Sequence, residues 1–336
     1  MKKIYITGVA GFLGSHLADF FLKNNWVVYG CDNLIGGYID NIPKGVQFDK
    51  IDCLDYQSLL TSIPKNVDVV YHTACTAYEG FSVFSPSLVV ANTLQASVNV
   101  ITAAIKVDAG KFVHCSSMAR YGEQKTYPFT EDMTCSPQDP YGIAKFSSEL
   151  LLNNLAKIHN IELTIAIPHN IIGPRQKYDD PYRNVASIMI NLMLQSRQPI
   201  IYGDGSQVRC FSDVIDDVDC LYQFAVNPLT NGEIYNIGPD EDPVTILTLA
   251  EIIAKKLNFK LDPIFVNPRP QEVKFATCSA NKIRKHLNYK TKINLSESLD
   301  RLIDYIDTRG VKDFKYHLDL EIISDKTPST WTSKMF

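Results

Sequence analysis

The sequence predicts an α/β protein: a doubly wound parallel sheet with a smaller C-terminal lobe. Three observations carry this. A short apolar run, Ile4-Tyr5-Ile6-Thr7, runs into Gly8, Gly11 and Gly14 at three-residue spacing. From Phe12 to Leu22 apolar side chains then recur at helical spacing. A second apolar run, Trp26 to Cys31, ends in Asp32, about twenty residues beyond the turn. Strand, glycine turn, helix, strand and terminal acid in that order form the opening of a Rossmann-type sheet.

Each part of this opening has a chemical use. Glycines at a strand-to-helix turn permit a tight turn and bring backbone N–H groups close to a pyrophosphate. Gly8, Gly11, Phe12, Leu13 and Gly14 are therefore the expected pyrophosphate cradle of a dinucleotide. An acid at position 32 suits a ribose 2′-hydroxyl and repels a 2′-phosphate. The following residues, Asn33 to Gly37, include no Arg or Lys, so NAD is expected rather than NADP.

With 336 residues the chain exceeds one typical domain of ~100–200 residues and can bury a sizeable core. Its net charge of −4 is mild, and no basic run is interleaved with aromatics, so nothing points to nucleic acid. Eight scattered cysteines form no CxxC pair, which reads as reduced apolar filler in a cytoplasmic protein, with no metal site expected. Lys2-Lys3 before apolar residues imitates a secretory signal, but His16 and Asp19 break the run. No unbroken run of about 18 apolar residues occurs, so no membrane span is expected.

The alternation continues. Strands are predicted at 46–51, 67–71, 111–115 and 163–167, with helices at 87–107 and 142–159 between them. After Pro168 the rhythm breaks at Pro174, Pro181, Pro199 and the Gly203-Asp204-Gly205 turn, around a helix at 185–195. The expected division is a dinucleotide domain over 1–168 with a return segment at about 209–240, and a lobe from 169–208 and 241–325. Residues from Asp325 on, with Pro328 and several Ser and Thr, read as a frayed tail.

Tyr141 and Lys145 lie four apart on a predicted helix and so share a face. A neighbouring ammonium favours phenolate and makes a tyrosine a usable general base. A strand ending in Cys115-Ser116-Ser117 can offer a serine hydroxyl to the same substrate oxygen, although a turn or capping role fits Ser116 as well.

With these residues in place, the chain resembles the extended short-chain dehydrogenase/reductases that modify nucleotide sugars, most closely the UDP-glucose and UDP-N-acetylhexosamine 4-epimerases. The resemblance runs through the glycine turn, Asp32-Asn33, Asp52, His72-Thr73-Ala74, Asn92, Ser116-Ser117, Tyr121-Gly122 and Tyr141/Lys145. It continues through Asn170 to Gln176, Ile201 to Gly205, Arg209, Tyr235 to Gly238 and Arg269-Pro270. It implies that Asp52 and the Cys53 backbone hold adenine, and that Thr73, Ala74, Cys75, Asn92 and Pro168 line the cofactor groove. Ser117 is then the residue that orients the sugar hydroxyl, Tyr141 the base and Lys145 the nicotinamide-ribose ligand. Asn170, Asn184, Arg209 and Arg269 are implied to hold the diphosphate, with Ile200 and Tyr202 at the uracil. The arginines agree with simple chemistry, since a diphosphate calls for charge-assisted donors.

Within that resemblance the segment after Ser117 chooses the reaction. A 4,6-dehydratase resembling this chain carries Asp-Glu at 118–119, a decarboxylase Glu at 119, and a 3,5-epimerase of the GDP-mannose type Cys at 119. Met118 and Ala119 can act as neither acid nor base, which leaves 4-epimerisation of a UDP-hexose or UDP-N-acetylhexosamine. A dehydratase or 4-keto-reductase is the nearest alternative, and a non-catalytic dinucleotide sensor a more distant one that the Tyr/Lys pair opposes. Ala276, where a bulky aromatic excludes N-acetyl groups in the resembling enzymes, favours N-acetylhexosamines. Arg120, Glu79 and Asp213 depart from the family pattern, and Arg120 and Glu79 are candidates to recognise an unusual charged or amino sugar. Resembling enzymes pair the 87–107 and 142–159 helices between subunits, so a homodimer is expected.

Overall fold

The computed structural model describes residues 1–336. Its centre is a seven-stranded, wholly parallel sheet in the order β11-β6-β5-β4-β1-β2-β3. The chain builds it through β1 (Lys3–Thr7), α1 (Phe12–Lys23), β2 (Val27–Asp32), β3 (Gln47–Lys50), α2 (Tyr56–Ser62) and β4 (Val69–His72). Next come α3 (Glu79–Ser82), α4 (Pro86–Val90), a π turn (Ala91–Gln95), α5 (Ala96–Lys106), β5 (Lys111–Cys115), α6 (Pro140–His159) and β6 (Glu162–Pro168). The inner strands are apolar runs because helices cover both faces. Ile4, Ile6, Val28 and Tyr71 pack with α1 on one face, and Tyr5, Val70, Phe112 and Ile165 pack with α5 on the other.

Strand order reverses between β1 and β4, and in such sheets ligands bind at the carboxyl ends of the strands beside that switch. The second half supplies β7 (Ile171–Ile172), α7 (Val185–Leu194), β8 (Ile200–Tyr202), β9 (Val208–Arg209), β10 (Ser212–Asp213) and α8 (Val214–Val226). The next strand, β11 (Ile234–Ile237), returns to the sheet edge beside β6. The lobe is completed by β12 (Val244–Thr245), α9 (Ile246–Lys256), β13 (Ile264–Val266), β14 (Phe275–Ala276), α10 (Asn281–Leu287) and α11 (Leu295–Arg309). A separate core of Met189, Ile190, Leu249, Ile253, Leu299 and Leu302 joins α7, α9 and α11.

One expectation needs correction. The C-terminal segment is not frayed: it carries α12 (Ser329–Thr332), and Trp331 is buried with its indole N–H donating to the Pro181 carbonyl at 3.2 Å. Aromatic anchors hold it, since Trp331 packs on Phe81, Phe84 and Tyr182. The run leading into it is tied too, with the Tyr182 hydroxyl donating to Leu318 O at 2.9 Å and the Ser87 and Leu88 amides to the Glu321 carboxylate at 2.8 Å. A qualification concerns the helix Pro86–Lys106: by length and composition alone it is apolar enough to cross a membrane, and here Ala96, Val100, Ile101, Ala103 and Ala104 on it pack into the core. A search for unbroken apolar runs passes over it because Asn92, Gln95 and Asn99 interrupt the sequence.

Candidate active site

A cleft of about 480 Å³ runs along the carboxyl ends of β1, β2, β4, β5 and β6 and into the lobe. Every residue named above for cofactor binding lines it, from Gly8, Gly11, Phe12, Leu13 and Gly14 to Asp32, Asn33, Asp52 and Cys53. Thr73, Ala74, Cys75, Asn92, Tyr141, Lys145 and Pro168 continue the same wall.

The pyrophosphate cradle passes a test of fit. Gly8 has φ +74°, and a Cβ there meets the Ala74 backbone at 2.9 Å. A Cβ on Gly14 meets the Gly8 carbonyl at 2.2 Å, so helix and strand approach as only glycine allows. No side chain caps α1, and the Phe12, Leu13 and Gly14 amides find no backbone acceptor, which leaves donors facing the cleft. At the adenosine end the charged side chains are Asp32 and Asp52, with no Lys or Arg among the lining residues there. Asp32 accepts the amides of Ala10 at 3.0 Å and Leu34 at 2.6 Å. Burial nevertheless lifts its carboxyl above the usual range. Asp52 accepts from Asn33 Nδ2 at 2.9 Å and from the Leu54 amide at 2.8 Å.

The strand ends are held by a neutral histidine. Ser97 donates its hydroxyl to Thr93 O at 2.6 Å, which leaves it to accept from His72 Nε2 at 3.0 Å. His72 Nδ1 then accepts from the Thr7 hydroxyl at 2.8 Å, and burial holds its pKa down at about 3.

At the other end Tyr141, Lys145 and Ser117 come together. Tyr141 sits at the start of α6, whose N-terminus Asp139 caps by accepting the Gly142 amide at 2.9 Å. One turn on, Lys145 Nζ donates to the Cys115 carbonyl at 2.7 Å and lies 5.9 Å from the Tyr141 ring centre. Burial raises the Tyr141 phenol well above its ordinary value; the Ser117 hydroxyl and Arg183 act in the opposite direction.

Ser117 and Tyr141 also line a side cavity of about 160 Å³ with Asn170, Arg209 and Ala276. Ala276 stands opposite Arg209 in the parallel β14–β9 pair. Asn170 (φ +46°) donates Nδ2 to Cys210 O at 2.9 Å, and Asn184 (φ +78°) precedes α7 with its side chain free. Ile200, Tyr202 and Arg269 form the far wall. The Arg269 guanidinium lies 4.6 Å from the Tyr202 ring centre, and its buried Nε has no partner. That is an unused donor in a site expected to take a diphosphate.

The three departures separate cleanly. Arg120 turns into the core, where it pairs with Glu149 at 3.2 Å and donates Nε to Cys135 Sγ at 3.1 Å. It does not reach the cleft, and a sugar-binding role for it is withdrawn. Ser116 is part of the same cluster, donating its hydroxyl to Glu149 rather than capping a turn. Asp213 caps α8 and accepts from Ser298 at 2.7 Å and Arg301 at 2.6 Å. Glu79 alone faces both cavities. The site further includes Arg183, stacked 5.5 Å from the Tyr78 ring centre, and Phe336, neither singled out from the sequence. No local pattern marks them, since each reaches the cleft through tertiary packing.

This cleft is that of a nucleotide-linked short-chain dehydrogenase, and the comparisons agree. The profile of the NAD dependent epimerase/dehydratase family matches residues 4–238, and the chain belongs to that family. A putative UDP-glucose 4-epimerase of Methanocaldococcus jannaschii is 32% identical over 90% of this chain and 98% of its own. The UDP-glucose 4-epimerase of Thermotoga maritima, solved with UDP-glucose, superposes with a TM-score of 0.85 at 28% identity, over 91% of this chain and 99% of that one. A UDP-glucuronic acid 4-epimerase from Bacillus cereus, solved with UDP-glucuronic acid and NAD, gives 0.83 at 29%, over 92% and 100%.

Proposed function

We propose that this chain is an NAD-dependent UDP-sugar 4-epimerase acting on a UDP-hexose or UDP-N-acetylhexosamine. The observation that carries the reading is the Tyr141–Ser117 pair at the mouth of the side cavity, flanked by Met118 and Ala119. Tyr141 takes the proton of the sugar 4-hydroxyl in one half of the cycle and returns it in the other. Ser117 orients that hydroxyl, and Lys145, pinned to β5, holds the nicotinamide ribose and the helix together. The glycine turn, Asp32 and Lys145 would hold NAD, which would supply a hydride acceptor for C4 and a ring cation that favours phenolate. Since no carboxyl replaces Met118 or Ala119, these residues add no further proton transfer, and the cycle is redox-neutral. Arg209 and Arg269 suit the diphosphate and Tyr202 the base.

The proposed assembly is a homodimer. On α6, Ile143, Leu150, Leu151 and Ile158 form an exposed apolar stripe beside the helix Pro86–Lys106. Incubation with UDP-, GDP- and dTDP-sugars, read by NMR, tests the activity. Formation of the C4 epimer of a UDP-sugar supports it, whereas loss of water or carbon dioxide, or no reaction on any of them, removes it. A monomeric mass by light scattering at micromolar concentration removes the dimer.

A further inference from the structure

Two charged side chains line the side cavity, Glu79 and Arg209, and they are committed differently. Arg209 donates to the Val208 carbonyl at 2.8 Å and to the Val273 carbonyl at 2.9 Å. The Glu79 carboxyl has no hydrogen-bond or ion-pair partner; only its backbone carbonyl is used, accepting from Ser82. It is open to the cleft, yet protein surrounds it closely enough that burial is the largest influence on its charge. Asp139 and Glu272 oppose its ionisation, and Arg209 and Arg269 favour it. Arg269 is itself paired with Glu272 at 2.8 Å. Arg183, the other cation near Tyr141, stacks on Tyr78 and does not line the side cavity.

We infer that Glu79 is a specificity-determining residue, admitting sugar substituents that donate a hydrogen bond, hydroxyl or amino, and turning away a carboxylate. The inference rests on the UDP-sugar reading and deepens it. In a 4-epimerase the hydride leaves one face of C4 and returns to the other, so the ring turns over between half-reactions. Each edge of the ring therefore faces the Glu79 wall in one of the two states. A uronate meets a carboxyl there, beside cations that the proposed reading gives to the diphosphate (Arg209) and that Glu272 already pairs (Arg269), and like charges so placed weaken binding strongly. A hydroxymethyl or amino group meets a free acceptor.

The test is calorimetric titration of the full-length protein at pH 8 with UDP-glucose, UDP-galactose, UDP-glucuronate and UDP-galacturonate. The last two differ from the first two only at C6. At least one uronate is expected to bind at least ~tenfold more weakly than its neutral counterpart, and Glu79→Gln to close that gap. A smaller gap, or one that survives Glu79→Gln, overturns the inference. Turnover is scored separately: the expected binding pattern without formation of a 4-epimer leaves Glu79 in its role and removes the epimerase reading. Failure of all four to bind removes both.

Discussion

Lys145 reaches across from α6 to the carbonyl of Cys115 at the end of β5, a bond of 2.7 Å between the helix that presents Tyr141 and the strand that presents Ser117. The contact fixes the spacing of base and hydroxyl. Replacement of Lys145 by alanine is accordingly expected to lower both turnover and retained NAD. Tyr141→Phe keeps ring volume and should keep the cofactor while losing about 10²–10⁴-fold in rate. Turnover together with cofactor released on denaturation separates the two; full activity in Tyr141→Phe would falsify the mechanism.

Cofactor choice follows from the adenosine end of the cleft. Protein denatured after purification is expected to release NAD, and chromatography that finds mainly NADP would contradict the role given to Asp32.

The Arg120–Glu149 pair predicts a stability effect with no place in binding. Both side chains are almost wholly buried, at 6% and 2% exposure. Burial keeps the Glu149 carboxyl above its usual range even beside the guanidinium. Arg120→Met leaves that carboxyl uncompensated and should cost about 3–5 kcal/mol in denaturant unfolding. An exposed pair such as Arg309–Asp40 should cost about 1 kcal/mol or less.

Glu79 predicts a pH signature without any ligand. Its carboxyl lies at about 7, pushed up chiefly by burial and then by Asp139, against an ordinary 4.5. The unfolded chain therefore loses this proton first, and a penalty on the fold builds as pH rises from 4.5 through 7. The thermal midpoint of Glu79→Gln should match wild type at pH 4 and exceed it at pH 8. Identical midpoints at both would show that the carboxyl is not strained by its surroundings.

Trp331 joins the C-terminal segment to α3, the short helix that carries Glu79, since it packs on Phe81 and on Phe84 just beyond it. Trp331→Ala should cost about 3–5 kcal/mol and weaken UDP binding, as measured by thermal shift with and without UDP.

Much of this was legible in the sequence. The glycine turn, Asp32 and the Tyr141/Lys145 spacing are local patterns, and the strand expected at 111–115 is one the structure reproduces residue for residue. What escaped is what depends on distance along the chain. Arg120 looked like a substrate ligand because nothing local shows that Glu149, 29 residues on by number, comes to meet it. Trp331 sits among serines and threonines that read as a loose end, and its partners lie some 150 to 250 residues earlier. The two-residue strands β9 and β14, which set Ala276 against Arg209, are too short for any periodicity to show.

The packed C-terminal segment bears on how the protein is handled. Thr330 meets the Tyr202 hydroxyl at 2.5 Å, and Phe336 forms part of the cleft wall. An affinity tag fused after Phe336 therefore starts at the wall of the cleft, where a histidine run is expected to compete with the very ligand being assayed. A tag ahead of Met1, which is 95% exposed and precedes the amino end of β1, lies away from the carboxyl-end cleft.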